Sequence, residues 1–162
     1  MKVLSNPWAK IPGYNCFGCS DNNHFGLKMK FIEDGESVIC KWKPAPEYQG
    51  YHNILHGGIQ ATLMDEIASW TVFVKADNGG VTYNMEIKYK KPVYMDKGDI
   101  LLKAKLLNSS RRLSKVKVEL FDSDGQLCSE AVADFFIVSN ESKDSLVFPG
   151  KQAFYENNTD EI

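Results

Sequence analysis

This chain lacks the long apolar run that a membrane-spanning helix needs. Its most apolar stretch, residues 67–74, is interrupted by Ser69 and Thr71 and falls far short of the ~20 residues required. The first thirty residues contain no continuous apolar segment, only scattered Val3, Leu4, Pro7 and Trp8. No signal peptide is therefore expected, and a cytoplasmic location is. Excess positive charge is lacking as well: 19 Lys and Arg against 21 Asp and Glu leave a net charge of −2, which disfavours nonspecific nucleic-acid binding. Four cysteines in 162 residues are too few for a disulfide scaffold. No internal repeat or low-complexity tract is found. What remains is ordinary: 43% hydrophobic and 25% charged residues, at a length that suits one domain with one sizeable core.

Residues 1–26 are loop-rich, with Asn6-Pro7, Pro12-Gly13 and Ser20-Asp21-Asn22-Asn23. The aromatics Trp8, Tyr14, Phe17 and Phe25 suggest an arm packed on the body. The domain proper is placed at 27–139, and 140–162 reads as a polar tail, poorly ordered or loosely docked. Alternation begins with Leu27, Met29 and Phe31 against Lys28 and Lys30. Asp34-Gly35 is a hairpin signal leading to a strand at 37–42, stopped by Pro44 and Pro46.

After a polar loop and His56-Gly57-Gly58 comes the one convincing helix. Its apolar ridge is Ile59, Leu63, Ile67, Trp70 and Val74, and small residues (Ala61, Thr62, Ala68, Ser69) occupy the other side. Asp77-Asn78-Gly79-Gly80 is its stop. Four long strands follow: Val81, Tyr83, Met85, Ile87 and Tyr89 alternate until Pro92, then come 99–107, 113–121 and 127–138, the last two joined by the turn at 122–125. The order β-β-α-β-β-β-β predicts an α+β fold. One long helix and an antiparallel sheet bury both apolar faces only if the sheet curls around the helix.

The chemistry-bearing residues gather on that helix. Its first turn offers unpaired N–H groups and a partial positive charge, and Gly57 and Gly58 carry no Cβ to block the approach of a carbonyl. Asp65 sits among small side chains on a face that would be buried, where desolvation raises a carboxylate's basicity. The same residues also suit a tight loop-to-helix junction and a solvated acid pair, Asp65-Glu66. Cys16-x-x-Cys19 with His24 resembles zinc-ligand spacing, but a structural zinc needs four ligands. Cys40 and Cys128 fall on strands, so no metal is expected. Asn108, Asn140 and Asn157 head glycosylation triplets that mean little without a secretory signal.

Taken together, Tyr48-Gln49-Gly50, His56-Gly57-Gly58, Asp65-Glu66 and the Thr82–Pro92 strand ending in Lys-Lys-Pro-Val resemble the hot-dog-fold acyl-CoA thioesterases, in particular the phenylacetate-pathway branch. Asn15-Cys16-Phe17-Gly18-Cys19 and His24-Phe25-Gly26-Leu27 resemble the N-terminal segment of many members. The resemblance implies hydrolysis of acyl-CoA or a related acyl thioester to free acid and thiol. Gly57 and Gly58 would stabilise the oxyanion, and Asp65 would be general base or nucleophile, facing the oxyanion donors of a second protomer. A homodimer, often a homotetramer, is implied. His56 would orient the loop or polarise the thioester, and Thr82 would place the water or the acid. A polarising amide in the loop before His56 is expected from Gln49, His52 or Asn53, with Asn53 taken as the candidate. Coenzyme A enters only as part of the substrate, with no other cofactor. Its phosphates would need local basic groups, for which Lys90 and Lys91, and Arg111 and Arg112 with Lys115 nearby, are candidates. The acyl chain would lie along Ile59, Leu63 and Met64. The alternatives are a noncatalytic acyl-CoA binder, a hot-dog hydroxyacyl-thioester dehydratase and a structural module. No membrane insertion or nucleic-acid partner is expected.

Overall fold

The apolar ridge is the buried face of helix α1 (Gly57–Thr71) and of the π-helical turn that continues it (Val72–Ala76) in a computed structural model that describes residues 1–138 and 148–155. Leu63 and Ile67 are fully buried, and Trp70 and Val74 nearly so. The helix ends where Asp77 takes a left-handed φ of 51°, so the predicted stop acts one residue earlier than its asparagine and glycines.

Seven strands form one antiparallel sheet: β1 (Lys2–Val3), β2 (Ile32–Asp34), β3 (Ser37–Trp42), β4 (Gly80–Tyr89), β5 (Ile100–Ser109), β6 (Leu113–Phe121) and β7 (Leu127–Ile137). Their spatial order is β1-β2-β3-β5-β6-β7-β4. The helix touches every strand from β3 to β4. Five strands spaced ~4.8 Å apart span about 19 Å, wider than a helix of ~10 Å, so the sheet must curve to reach it from both sides. Val38, Cys40, Leu102, Ala104, Val116, Val118 and Leu120 fill the concave side and are completely buried. This is the α+β hot-dog architecture.

Four local expectations change. The alternation at 27–31 is not a strand, because Lys28 adopts a φ of 53°. Leu27, Met29 and Phe31 are nevertheless all buried, so the pattern reported the faces correctly and the hydrogen bonding wrongly. Strand β1 is two residues long, too short to leave a period, yet it pairs with β2. In the arm, Trp8 and Tyr14 pack against the body, whereas Phe17 is 40% and Phe25 82% exposed. In the C-terminal region, residues 139–147 and 156–162 lie outside the described residues. Residues 148–155 are firmly docked: Phe154 is fully buried in an aromatic cluster with Trp8, Trp70, Phe73 and Phe148. Two late aromatics sufficed to seat a segment whose flanks read as polar. Among the described residues no helix is long and apolar enough to cross a membrane.

Strand β4 is the feature that shapes the site. It is an edge strand, paired only with β7, and its register shifts between Thr82 and Asn84. The extra residue, Tyr83, changes the strand's phase. Val81 and Tyr83 therefore point outward, where Tyr83 packs on Phe136 with ring centroids 4.3 Å apart. Thr82, Met85, Ile87 and Tyr89 turn toward the helix side. The single-phase alternation read from the sequence is thus broken by a bulge.

Candidate active site

The bulge places Thr82 Oγ1 2.7 Å from Asp65 Oδ1, to which it donates a hydrogen bond. Asp65 is half-buried, and its carboxyl is pushed above the usual carboxylate range by burial, partly offset by the Thr82 hydroxyl. At the other end of β4, the Tyr89 hydroxyl donates to the Gly57 carbonyl at 2.8 Å, a contact the sequence reading missed. One strand thus touches both the helix start and the acid eight residues along.

The helix start differs from the expectation of two free glycine donors. His56 is the N-cap, and its Nδ1 accepts the Gly58 N–H at 2.9 Å. The neutral ring therefore carries its proton on Nε2. Gly58 is already satisfied, whereas no acceptor among the described residues meets the Gly57 N–H. A Cβ added at Gly57 would rest in van der Waals contact with the Tyr89 ring at 3.6 Å, so the ring lines one side of this glycine. The end of the helix is held in place by buried Gln60. Its amide donates to the Leu55 carbonyl at 3.1 Å and accepts from Ser129 of β7 at 3.0 Å. A buried glutamine beside the apolar ridge was the available signal for this clasp.

Asn53 does not reach this constellation. It adopts a φ of 61°, donates its N–H to Gln49 Oε1, and accepts from the backbone N–H of Asp96 on Oδ1 and of Met95 on its carbonyl. It is a loop fastener, because the left-handed turn aims its amide oxygen at the 95–97 turn. Leu63 and Met64, expected beside the acyl chain, are fully buried in the core, and only Ile59 of the three is partly exposed.

The basic groups do not form one patch in a single chain. Lys90 and Lys91 pair by backbone with Cys128 at the start of β7, while Arg112 holds Ile137 at its end. Nine residues of strand separate them by roughly 30 Å. Lys90 forms an ion pair with Glu130 at 3.1 Å, and Lys91 donates to Gln126 at 2.6 Å. Arg111 and Arg112 are exposed and have no ion-pair partner among the described residues.

Glu66 lies on the opposite flank, beside Cys16 and Cys19, and Trp70 Nε1 donates to it at 3.2 Å. The sequence offered the two cysteines but not their carboxylate, fifty positions away in the chain.

Comparison with known proteins places these features. The thioesterase superfamily model matches residues 52–129, which span His56, both glycines, Asp65, Thr82 and Tyr89. Human acyl-coenzyme A thioesterase 13 is 32% identical over 84 residues, covering 51% of this chain and 59% of that protein. The chain thus spans under two thirds of the length of this relative. Zebrafish thioesterase superfamily member 2 superposes with a TM-score of 0.62 at 26% identity, over 68% of this chain and 82% of that one. A hypothetical thioesterase protein from Streptococcus pneumoniae, solved with coenzyme A, has a TM-score of 0.63 at 22% identity, over 70% and 88% of the two chains. That last likeness is one of fold. Residues 52–129 match the thioesterase superfamily model, and they lie within a hot-dog fold like that of these solved thioesterases.

Proposed function

We propose that this protein hydrolyses acyl-CoA, or a related acyl thioester, to free acid and thiol, with no cofactor beyond the coenzyme A of the substrate, in the cytoplasm. The observation that carries the reading is the Asp65 carboxylate. It is half-buried, raised in basicity and held by one neutral hydroxyl, Thr82, so its remaining lone pairs are free for a water or an acyl carbon. Negative charge that builds on the thioester oxygen needs a donor, and the Gly57 N–H at the head of α1 has no acceptor among the described residues.

These two groups cannot serve one thioester within one chain. Eight residues of helix separate them, about 12 Å along the axis, several times the reach of a single carbonyl group. The reading therefore requires a second copy, whose Gly57 faces this Asp65. Strand β4 supports such an assembly: it is a ten-residue edge strand, paired only with β7, that exposes Val81, Tyr83 and Tyr89. In the resulting homodimer, alone or within a tetramer, a second copy's Lys90 and Lys91 travel with its Gly57. They meet the end of β7 where this chain's Arg111 and Arg112 lie. The basic groups that are apart in one chain would then flank one thioester and receive the coenzyme A phosphates. His56 holds the helix start in register through Nδ1, which accepts from Gly58, and its other ring nitrogen remains available to donate to the thioester.

A thiol-release assay over a panel of acyl-CoAs, wild type beside Asp65→Ala, tests the reading. Loss of about 10²–10⁴-fold in kcat is expected for removal of a general base. Equal thiol release by both proteins would remove Asp65 from the reaction. An acyl-enzyme anhydride trapped in oxygen-18 labelling would assign it the nucleophilic role.

A further inference from the structure

The Cys16, Cys19 and Glu66 cluster stands apart from the thioester site and has its own construction. The ligand atoms of the three residues all lie within 4.8 Å of one another. Cys16 Sγ is 3.6 Å from Glu66 Oε1 and 3.7 Å from Oε2. A sulfur at ~2.3 Å and a carboxylate oxygen at ~2.1 Å from one tetrahedral zinc are themselves about 3.6 Å apart, so this pair is already at the spacing of shared ligands.

Two of the three groups also have hydrogen-bonding partners outside the cluster. Cys19 Sγ lies 3.1 Å from the Tyr14 hydroxyl and 3.5 Å from the Asn6 amide nitrogen, which donates to it. Trp70 Nε1 donates to Glu66. Position 18 is glycine where a Cβ would collide with the Glu66 carboxyl. No cation reaches the cluster among the described residues, so two thiols and an acid crowd one half-buried spot with only protons to neutralise them.

We propose that Cys16, Cys19 and Glu66 bind one zinc-class divalent cation, with the fourth tetrahedral position taken by water. Two thiolates and one carboxylate suit a borderline-soft metal, and the donors around them are the outer-shell contacts that such sites use. The ion would fasten the N-terminal arm to α1. The same loop already receives the backbone N–H groups of Leu27 and Met29 on the carbonyls of Phe17 and Gly18, so three segments would meet at one ion.

The test uses the full chain, stripped with chelator and kept reduced, titrated with Co²⁺. One equivalent is expected to produce a near-ultraviolet thiolate-to-cobalt band that Zn²⁺ displaces, with protons released on binding. The band should vanish in Cys16→Ser and Cys19→Ser and persist in Cys40→Ser, a buried thiol elsewhere. Glu66→Gln keeps an acceptor for Trp70 and so keeps the fold. It should weaken binding by more than the roughly 10–100-fold expected of the outer-shell variant Tyr14→Phe. No stoichiometric band, a band that survives Cys16→Ser, or a Cys16–Cys19 disulfide that forms in place of metal binding would each overturn the proposal.

Discussion

Asp65 and Glu66 are adjacent in the chain, about 100° apart around α1, and in very different company. Asp65 faces the edge strand, where the Thr82 hydroxyl is its one side-chain partner among the described residues. Glu66 faces the arm, where two sulfurs and an indole N–H crowd it. Burial raises the basicity of both acids. What differs is the number of partners: an acid with a single neutral donor keeps lone pairs for a reacting molecule, whereas one beside two thiols is part of a ligand set. Little more than a quarter of a turn of helix thus separates the proposed chemistry from the proposed fastening.

The sharpest way to break the comparison is to neutralise each acid in turn. Asp65→Asn should cut thiol release by about 10²–10⁴-fold while leaving the cobalt band intact, and Glu66→Gln should disrupt the band. A loss of both properties in either variant would mean that the two flanks act as one. Next in size is Gly57→Pro. Proline is tolerated at the first helical position, and His56 before it is already extended at ψ 134°. The substitution deletes the Gly57 N–H alone, and a fall of about 10²–10³ in kcat is expected. The corresponding Gly58→Pro would instead remove the bond to His56, and a comparable loss there with none at Gly57 would reassign the donor.

Smaller effects sharpen the Asp65 side. Thr82→Val removes the one contact that lowers the acid's pKa, so the acid limb of the pH–rate profile should move to higher pH. An unmoved limb would show that the titrating group is another. In stability the sign is as follows. The folded state holds the Asp65 proton more tightly than the unfolded chain, whose aspartates titrate near ~3.9. The buried charge therefore costs stability, increasingly as pH rises from that value through the folded pKa. Asp65→Asn should raise Tm by a few degrees at neutral pH, and the gain should fade below about pH 4. Thermal melts of the two proteins across pH check it.

The helix, its ridge and the long strands were legible because periods of 3.6 and 2 persist over nine or more residues. The hairpin turns at Gly35 and Gly125, with φ of 55° and 77°, were legible because only certain residues fit them. The pairing of Thr82 with Asp65 was hidden by the Tyr83 bulge: a strict alternation would have put Thr82 and Tyr89 on opposite faces, yet both reach the helix. Spacing marked His56 as a member of the site but could not show that its ring occupies the Gly58 donor. The fate of Asn53 turned on a left-handed backbone, which asparagine tolerates and sequence does not announce. Glu66 joined Cys16 only through folding, since nothing local links positions fifty residues apart.

The central claim is that Asp65 of one copy works with Gly57 of another. Coexpressing Asp65→Asn and Gly57→Pro chains with different tags, and assaying thiol release of the mixture, tests it directly. Each variant alone should be nearly inactive. Random pairing makes half of the dimers mixed, each with one intact site of two, so activity should recover to about a quarter of wild type. No recovery from a verified mixed dimer would place both groups in a single chain's site and contradict the account.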